Sequence, residues 1–190
     1  MDKLKIGFAL TGSFCTFKPA FDAAKALVAE GHELTPIMSF NAYNISTRFG
    51  SYEQNREILR EITGRDIIAS IEDAEPIGPK SMFDILVVAP CSSNTLAKLA
   101  TGVNDTPVTM AVKSHLRNAR PVVIALSTND ALAAAAKNIG ALQNYRNYYF
   151  CPYRQDNFTA KPMSMVADMT LLTQTIELAI KGEQLQPMVR

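Results

Sequence analysis

The residues best suited to chemistry lie in one short polar loop, Cys91-Ser92-Ser93-Asn94-Thr95, which offers hydroxyl groups, a carboxamide and backbone N–H groups. The loop follows Ile85–Ala89, an apolar and mostly β-branched run that is typical of a strand buried on both faces of a parallel sheet. Pro90 ends that run, and a helix begins near Asn94. Open α/β sheets bind ligands at such strand-to-helix junctions. The sequence therefore predicts that Ser92 to Thr95 contact a small molecule.

Three further polar turns follow predicted strands, at Thr11-Gly12-Ser13, at Ser39 to Asn44 and at Ser127 to Asp130. A dinucleotide site would require G-x-G-x-x-G in the first turn and an acidic residue after the second strand. The first turn has Gly12 alone, and the second strand ends at Ser39. A monophosphate fits better, because the Ser13 and Ser39 hydroxyls and nearby N–H groups could surround one phosphate.

Several other classes of site lack their defining residues. The sequence has no Ser-His-Asp order, GxSxG elbow, Walker A loop or metal-ligand spacing. Its three cysteines, Cys15, Cys91 and Cys151, form no CxxC pair and have no nearby histidine, so small buried thiols are expected. The chemistry would therefore come from a bound organic cofactor that the protein orients.

Charge and hydropathy restrict the partners. The net charge of +1, without a Lys/Arg cluster, argues against nucleic acid. No apolar run approaches the roughly 20 residues of a membrane-spanning helix. The amino-terminal residues also lack the long apolar region of a signal peptide. We expect a cytoplasmic protein.

The elements that must position these loops alternate between strands and helices. Predicted strands are 5–10, 33–38, a short 67–71, 85–89, 121–126 and 148–151, and predicted helices are 18–30, 51–63, 94–101, 108–117, 131–139 and 164–181. Ser51 and Gln54 form a capping-box pattern, and Thr106 precedes Pro107 as a second helix start. His115 is interpreted as a surface residue, Arg154 to Asn157 as a loop, and the tail from Glu183 as frayed.

This order predicts a single α/β domain over residues 1–190. Its doubly wound parallel sheet would have about five or six strands with helices on both faces. The polar turns would then share one edge of the sheet, because the carboxyl ends of parallel strands lie together.

The central loop and its surroundings also resemble a known family. Pro90-Cys91-Ser92-Ser93-Asn94-Thr95 and the following Lys98 to Asp105 are similar to the P-A-S-A-N-T and K-x-A-x-G-x-x-D signatures of the homo-oligomeric flavin-containing cysteine decarboxylases. The turn Thr11-Gly12-Ser13 resembles the T-G-[GS] turn of that family. The resemblance implies a Rossmann-like flavoprotein domain that binds FMN and forms a homo-oligomer built from trimers.

The resemblance also implies roles for individual residues. Ser13 and Ser39 would contact the FMN phosphate, with Thr11 and Gly12 in the same turn. Ser92, Ser93, Asn94 and Thr95, after Pro90, would contact the ribityl chain or the ring. Asp105 would brace the pocket or a subunit contact. Asn129 matches the Asn of the family's P-x-M-N substrate motif, although Ala125 to Thr128 depart from the residues usual before it.

Four segments are similar to one particular branch of the family: GFALTGSFCTF, SYEQNREI, DTPVTMAVKSHLRNARPVVIALSTND and YRQDN. That branch implies a subunit that works with a nicotinamide-dependent (NADP or NAD) partner subunit. Together they would oxidise dihydrodipicolinate, or its hydroxylated precursor, to dipicolinate in the mother cell of a sporulating bacterium. For such a dicarboxylate, Asn129, Arg154 and the Arg48 to Arg56 segment carry suitable donors.

Catalytic residues stay unassigned. The decarboxylases carry a histidine just before the central strand, whereas residues Ile71 to Lys80 contain none. This departure weakens two alternatives, an FMN-dependent decarboxylase and a prenyl-FMN-forming transferase. A third alternative is a non-catalytic partner that stabilises the nicotinamide-binding subunit.

Overall fold

The computed structural model describes residues 3–190, in which seven strands form one sheet. The strands are β1 Lys5–Leu10, β2 Glu33–Met38, β3 Ile85–Cys91, β4 Val122–Thr128, β5 Tyr148–Phe150, β6 Tyr153–Gln155 and β7 Met165–Ala167. Their order is β2-β1-β3-β4-β7-β6, and β5 also pairs with β4. The first five strands pair in parallel, whereas β6 and β7 are antiparallel. The prediction of a doubly wound, mainly parallel sheet is therefore confirmed.

Helices cover both faces of this sheet. They are α1 Phe17–Ala29, α2 Phe40–Asn44, α3 Tyr52–Thr63, α4 Ile71–Ala74, α5 Ser93–Thr101, α6 Pro107–Leu116, α7 Ala136–Asn144 and α8 Leu172–Ala179. One group consists of α1 packed with α3 and α8, and the other of α5, α6 and α7 with α4. Within residues 3–190, no helix has both the length and the apolar content needed to cross a bilayer.

The core lies along β1, β3 and β4. Every residue of β3 and β4 is buried, as the uninterrupted apolar runs predict. Gly7 in β1 has a specific packing role, because a Cβ atom there would lie 2.7 Å from Cδ2 of Phe83. The Phe83 ring therefore occupies space that only glycine leaves open.

Several sequence predictions for helix starts are confirmed. The capping box of α3 forms, since Ser51 accepts from the Gln54 N–H and Gln54 accepts from the Ser51 N–H. Thr106 caps α6 ahead of Pro107 in the same way. These starts depend on local hydrogen bonds, which is why the sequence alone could identify them.

The predicted helix 164–181 is wrong in its first part. Residues Met165–Ala167 form β7, which pairs with the end of β4 through Ser127 and Val166. A 3-10 turn at Met169–Leu171 follows, and α8 begins only at Leu172. The apolar spacing suits a helix, but pairing with β4 satisfies the backbone of this segment. The predicted loop from Arg154 is likewise partly strand, because β6 pairs with β7.

Two predictions fail before the central strand and after it. The proposed third strand 67–71 is reduced to a single bridge between Ile37 and Ile68, and Ile71 instead begins α4 because Ser70 caps that helix. The Ala-rich helix predicted over 131–139 is shifted, and α7 covers Ala136–Asn144 with Gly140 inside it.

Two further predictions concern burial. His115 is 1% exposed rather than a surface residue, because α4 and the following 3-10 turn cover α6, and its Nε2 lies 3.1 Å from the Pro121 carbonyl oxygen. The tail from Glu183 is not frayed. The Gln184 side chain exchanges two hydrogen bonds with the backbone of Phe150, and the Arg190 N–H donates to the Tyr153 carbonyl.

Candidate functional site

A cleft of about 810 Å³ opens at the carboxyl ends of β1, β3 and β4. This is where the strand order reverses, because β2 lies on one side of β1 and β3 lies on its other side. Such switch points are where doubly wound sheets bind ligands. The volume is in the range of about 300–1,000 Å³ that is usual for small-molecule sites.

Hydrogen bonds between strand ends fix the inner wall of the cleft. The Thr11 hydroxyl donates to the Pro90 carbonyl (2.8 Å) and accepts from the Ser92 N–H (2.8 Å), which joins β1 to β3. The Ser13 hydroxyl donates to the Ser127 carbonyl (2.7 Å), which joins β1 to β4. The three strand ends are therefore held together without a ligand, and the wall is pre-organised.

Helix α5 begins at this wall without a side-chain cap. Ser92 is its N-cap residue, but the Ser92 hydroxyl donates to the Thr95 hydroxyl (3.3 Å) instead of accepting from the first turn. The first N–H groups of a helix have no partner within the helix. Ser39, Ser51, Ser70 and Thr106 each cap their own helix, whereas α1, α7 and α8 also begin without a side-chain cap. The start of α5 thus leaves donors for a ligand, and the helix dipole favours an anionic group there.

Asp130 controls the direction of two hydroxyl groups beside this helix start. The Ser93 hydroxyl donates to one carboxylate oxygen of Asp130 (3.0 Å), and the Thr128 hydroxyl donates to the other. Because an ionised carboxylate only accepts, both hydroxyl protons point to Asp130. Ser93 and Thr128, which line the cleft, therefore present lone pairs that can accept from a ligand. From the sequence, Asp130 is predicted only as part of a polar loop, and the Thr128-x-Asp130 spacing is the signal that could have indicated this role.

The outer part of the cleft is charged and comes from two other segments. A tight turn at Thr47 to Gly50 contributes Arg48 and Phe49, and the loop between β6 and β7 contributes Asp156 and Lys161. The Lys161 ammonium pairs with Asp156 at 2.6 Å. Sequence reasoning missed Asp156 and Lys161, because it placed a loop and a helix where an antiparallel hairpin forms.

Six of the residues predicted to bind cofactor or substrate line this cleft: Gly12, Ser13, Ser92, Ser93, Asn94 and Asn129. Thr11, Pro90 and Thr95 are buried behind the wall and shape it. Ser39 is buried away from the cleft, where its hydroxyl accepts from the Ala42 N–H at 3.3 Å and caps α2. Asp105 lies beyond the end of α5, and its carboxylate pairs with Lys98 at 2.6 Å.

Cys91 and Cys151 are buried as expected, whereas Cys15 is exposed and lines the cleft, so the expectation of a buried thiol is wrong for Cys15. The two buried cysteines and both histidines lie outside the cleft lining. Burial raises the pKa of the Cys91 thiol far above its ordinary value, so the thiol stays neutral.

For His115 the charged form is the protonated one, so burial lowers its pKa, to about 4. His32 is buried beside β1, where its Nδ1 accepts from the Leu4 N–H at 3.2 Å. In residues 3–190, no three His, Cys, Asp or Glu side chains are placed to hold a metal ion.

Comparison with known proteins agrees with this architecture. A family model described as Flavoprotein matches residues 1–177. The B subunit of dipicolinate synthase from Bacillus subtilis (strain 168) is 45% identical over 185 residues, which are 97% of this chain and 92% of that protein. The crystal structure of the B subunit of dipicolinate synthase from Bacillus halodurans C superposes with a TM-score of 0.90 at 40% identity, covering 98% of this chain and 96% of that one.

A more distant structure shares the fold alone. The FMN-dependent cysteine decarboxylase SpaF superposes with a TM-score of 0.68 at 20% identity, covering 93% of this chain and 97% of that one. The expected resemblance to the dipicolinate branch is confirmed over nearly the whole sequence. The chain therefore belongs to the flavoprotein family, and within it the chain is similar to the B subunit of dipicolinate synthase.

Proposed function

We propose that the cleft binds FMN and that the chain acts as the B subunit of a dipicolinate synthase. Its A subunit would carry the nicotinamide cofactor, NADP or NAD. The pair would oxidise dihydrodipicolinate, or its hydroxylated precursor, to dipicolinate in the cytoplasm of the mother cell during sporulation. Near-full-length similarity to the B subunit of dipicolinate synthase supports the assignment.

The uncapped start of α5 is the observation that carries the proposal. It opens into the cleft beside Gly12, Ser13 and Asn94. The donors there suit the phosphate and carbonyl oxygens of FMN, and the lone pairs of Ser93 and Thr128 suit its N–H or hydroxyl groups. FMN, when bound, supplies a two-electron redox centre that the protein side chains lack.

The residues of the chain would bind and orient the cofactor. Backbone N–H groups at Gly12 and in the first turn of α5 would hold oxygen atoms that carry negative charge. The Ser13 N–H is not among them, because it donates to the Thr11 carbonyl (2.8 Å). The Asn94 side chain, which lines the cleft and is exposed, offers both a donor and an acceptor. Asn129, on the loop after β4, would contact the substrate.

The cysteine decarboxylase alternative has less support from the site. Proton management by an imidazole would require a histidine in the cleft. His32 and His115, the two histidines of the sequence, are both buried outside it. Turnover of a cysteine-terminated substrate by the isolated chain would favour this alternative.

Replacing Asn94 by Leu tests cofactor binding. The change removes a donor and an acceptor and leaves polar atoms of FMN unpaired, which costs on the order of 1–3 kcal/mol, or about 5- to 150-fold in affinity. Titration by quenching of FMN fluorescence measures the effect. Asn144→Leu, at an exposed position on α7 outside the cleft lining, is the matched control. Equal FMN affinity in both variants would contradict the assignment.

Steady-state oxidation of dihydrodipicolinate, with and without the A subunit, tests the reaction. We expect turnover only when both subunits are present. A colourless preparation with no affinity for added FMN, which nevertheless stabilises the A subunit, would favour the non-catalytic partner instead.

Homo-oligomerisation is a further part of the proposal. A groove of about 850 Å³ between α1 and α3 adjoins the cleft, and its lining includes Phe17, Phe21 and Ile58. Its lining also includes Lys18, Asp22, Lys25, Asn55 and Glu61, so it combines apolar with polar and charged side chains. A mixed groove of this kind suits a contact between copies of the chain. Asp105, which lies outside the cleft, would act at a subunit contact. Light scattering at micromolar concentration measures the assembly, and a monomer would refute it.

A further inference from the structure

The charges of the cleft are concentrated at its mouth, which we define as Arg48, Asp156 and Lys161. All three line the cleft and are exposed, whereas the hydroxyl-bearing inner wall is partly buried. The inner wall holds neutral Ser, Thr and Asn side chains. Two cations and one carboxylate therefore give the mouth a net positive charge.

Arg48 is held in place without a carboxylate partner. It lies in the turn in which the Thr47 N–H donates to the Gly50 carbonyl (3.0 Å), and the Phe49 N–H donates to the Thr47 hydroxyl (3.1 Å). The Arg48 guanidinium is 4.9 Å from the centroid of the Phe49 ring. Among residues 3–190, no ion pair includes Arg48. Its charge is available to an anion that enters the cleft.

Lys161 reaches the same mouth from the loop between β6 and β7. The hydrogen bond to Asp156 raises the pKa of the Lys161 ammonium, so Lys161 stays charged. Arg48 and Lys161 line the same cleft, one from the turn at Thr47 to Gly50 and the other from the loop between β6 and β7. An anion that enters the cleft between these two segments would be attracted by both cations.

We propose that Arg48 and Lys161 bind the carboxylates of a small dicarboxylate substrate at the cleft mouth and thereby select it over monocarboxylates. This inference rests on the proposed function, since it assigns the substrate class of the same cleft. The guanidinium presents a fork that matches a carboxylate, so Arg48 is the main contact. Lys161 adds a second positive charge, and a substrate carboxylate must replace Asp156 as its partner.

The FMN phosphate is a second source of an anion here, because it shares the charge of a carboxylate. The two sources predict different losses. If Arg48 held the phosphate, its removal would abolish the preference for FMN over riboflavin. If Arg48 holds the substrate, a variant without Arg48 keeps the preference for FMN over riboflavin and binds the dicarboxylate more weakly.

The test uses the full chain loaded with FMN and calorimetric titration with two probes, pyridine-2,6-dicarboxylate and pyridine-2-carboxylate. The variants are Arg48→Met and Lys161→Met, which keep an unbranched stem and remove the charge, and Asp156→Asn, which frees Lys161. Arg154, predicted from the sequence as a donor, does not line the cleft. Arg146→Met is the matched control, because Arg146 is an exposed arginine outside the cleft lining to which no binding role is assigned. Thermal melts verify that each variant is folded.

We expect the wild-type chain to bind the dicarboxylate about tenfold or more tightly than the monocarboxylate. Arg48→Met should lose about tenfold in dicarboxylate affinity, Lys161→Met about threefold, and Arg146→Met nothing, whereas Asp156→Asn should gain. Equal binding of the two probes by the wild-type chain would overturn the proposal. So would unchanged dicarboxylate affinity in Arg48→Met, or loss of the FMN preference over riboflavin in that variant. Dipicolinate binding is read without turnover, so failure of the proposed reaction would be seen separately.

Discussion

Replacing Asp130 by Asn should weaken FMN binding although Asp130 does not line the cleft. The carboxylate holds the hydroxyl protons of Ser93 and Thr128, so both oxygens can act toward a ligand only as acceptors. The Thr128 oxygen also accepts from the Asp130 N–H (3.4 Å) and keeps one lone pair for a ligand. An amide at this position can accept from one hydroxyl but donates to the other, which turns the second hydroxyl proton toward the ligand. A ligand N–H group that relied on that lone pair would then meet a donor.

The size of the effect follows from these contacts. A hydrogen bond to a charged group contributes about 1.5–3 kcal/mol, and the part-buried setting of Asp130 reduces that figure. We expect a loss of about 1.4 kcal/mol in FMN binding, which corresponds to tenfold in affinity. Asp66→Asn, at a fully exposed carboxylate outside the cleft lining, should leave the affinity unchanged.

A double-mutant cycle separates this positioning role from a general loss of stability. FMN affinity is measured by fluorescence for Asp130→Asn, Ser93→Ala and the double variant. If Asp130 acts through the Ser93 hydroxyl, the two losses should overlap, with a coupling of about 0.5–3 kcal/mol. Strictly additive losses, or full FMN affinity in Asp130→Asn, would refute the reasoning.

Two further predictions concern stability. His115 should make folding pH-dependent, because its pKa of about 4 in the folded chain is below the ordinary 6.5. Its contribution to the free energy of unfolding is complete above pH 6.5 and is lost as the pH falls to 4, by up to about 3 kcal/mol at 1.36 kcal/mol per pH unit. Urea unfolding at several pH values should show a shallower decline of this free energy for His115→Leu than for the wild-type chain. An identical decline would contradict the assignment. Gly7→Ala should destabilise the fold by about 1–3 kcal/mol, since its Cβ would meet the Phe83 ring at 2.7 Å. Adding Phe83→Leu to Gly7→Ala should recover part of that loss. Gly140→Ala is the control and should be neutral or stabilising, because no neighbouring atom lies within 4 Å of a Cβ built there. Thermal melts measure these effects, and an undiminished melting temperature in Gly7→Ala would count against the packing argument.

The central strands and the polar loops after them could be predicted from the sequence because their signals are local. The run Ile85–Ala89 is buried on both faces of the sheet, so it needs no polar alternation. The turn at Thr11 to Ser13 and the loop at Ser92 to Asn94 follow such strands, and parallel strands bring their ends together. The resemblance implies FMN as the ligand, an identification that composition and spacing could not supply.

The remaining elements depend on contacts that are distant in the sequence. Met165 to Ala167 has apolar residues that suit a helix, but it becomes a strand because β5 pairs only with Val122 to Ile124 and leaves the end of β4 open. His115 has the sequence context of a surface residue on a helix, yet α4 covers it, and α4 itself lies in a segment whose composition is typical of an acidic loop. Neither outcome has a local signal.

The end of β4 connects the two parts of the cleft. Ser127 accepts from the Ser13 hydroxyl on the inner wall, and its backbone pairs with Val166 of β7. The next residue, Thr128, donates to Asp130 and accepts at its carbonyl from the Ser164 hydroxyl (3.3 Å). The hairpin that carries Lys161 is therefore attached to the residues that orient Ser93. Because these contacts are short and consecutive, a displacement of the hairpin would also disturb the acceptors of the inner wall. The proposed substrate contacts at the mouth and the proposed cofactor contacts inside should consequently be coupled. FMN affinity should therefore differ when it is measured with and without pyridine-2,6-dicarboxylate, and equal values would refute the coupling.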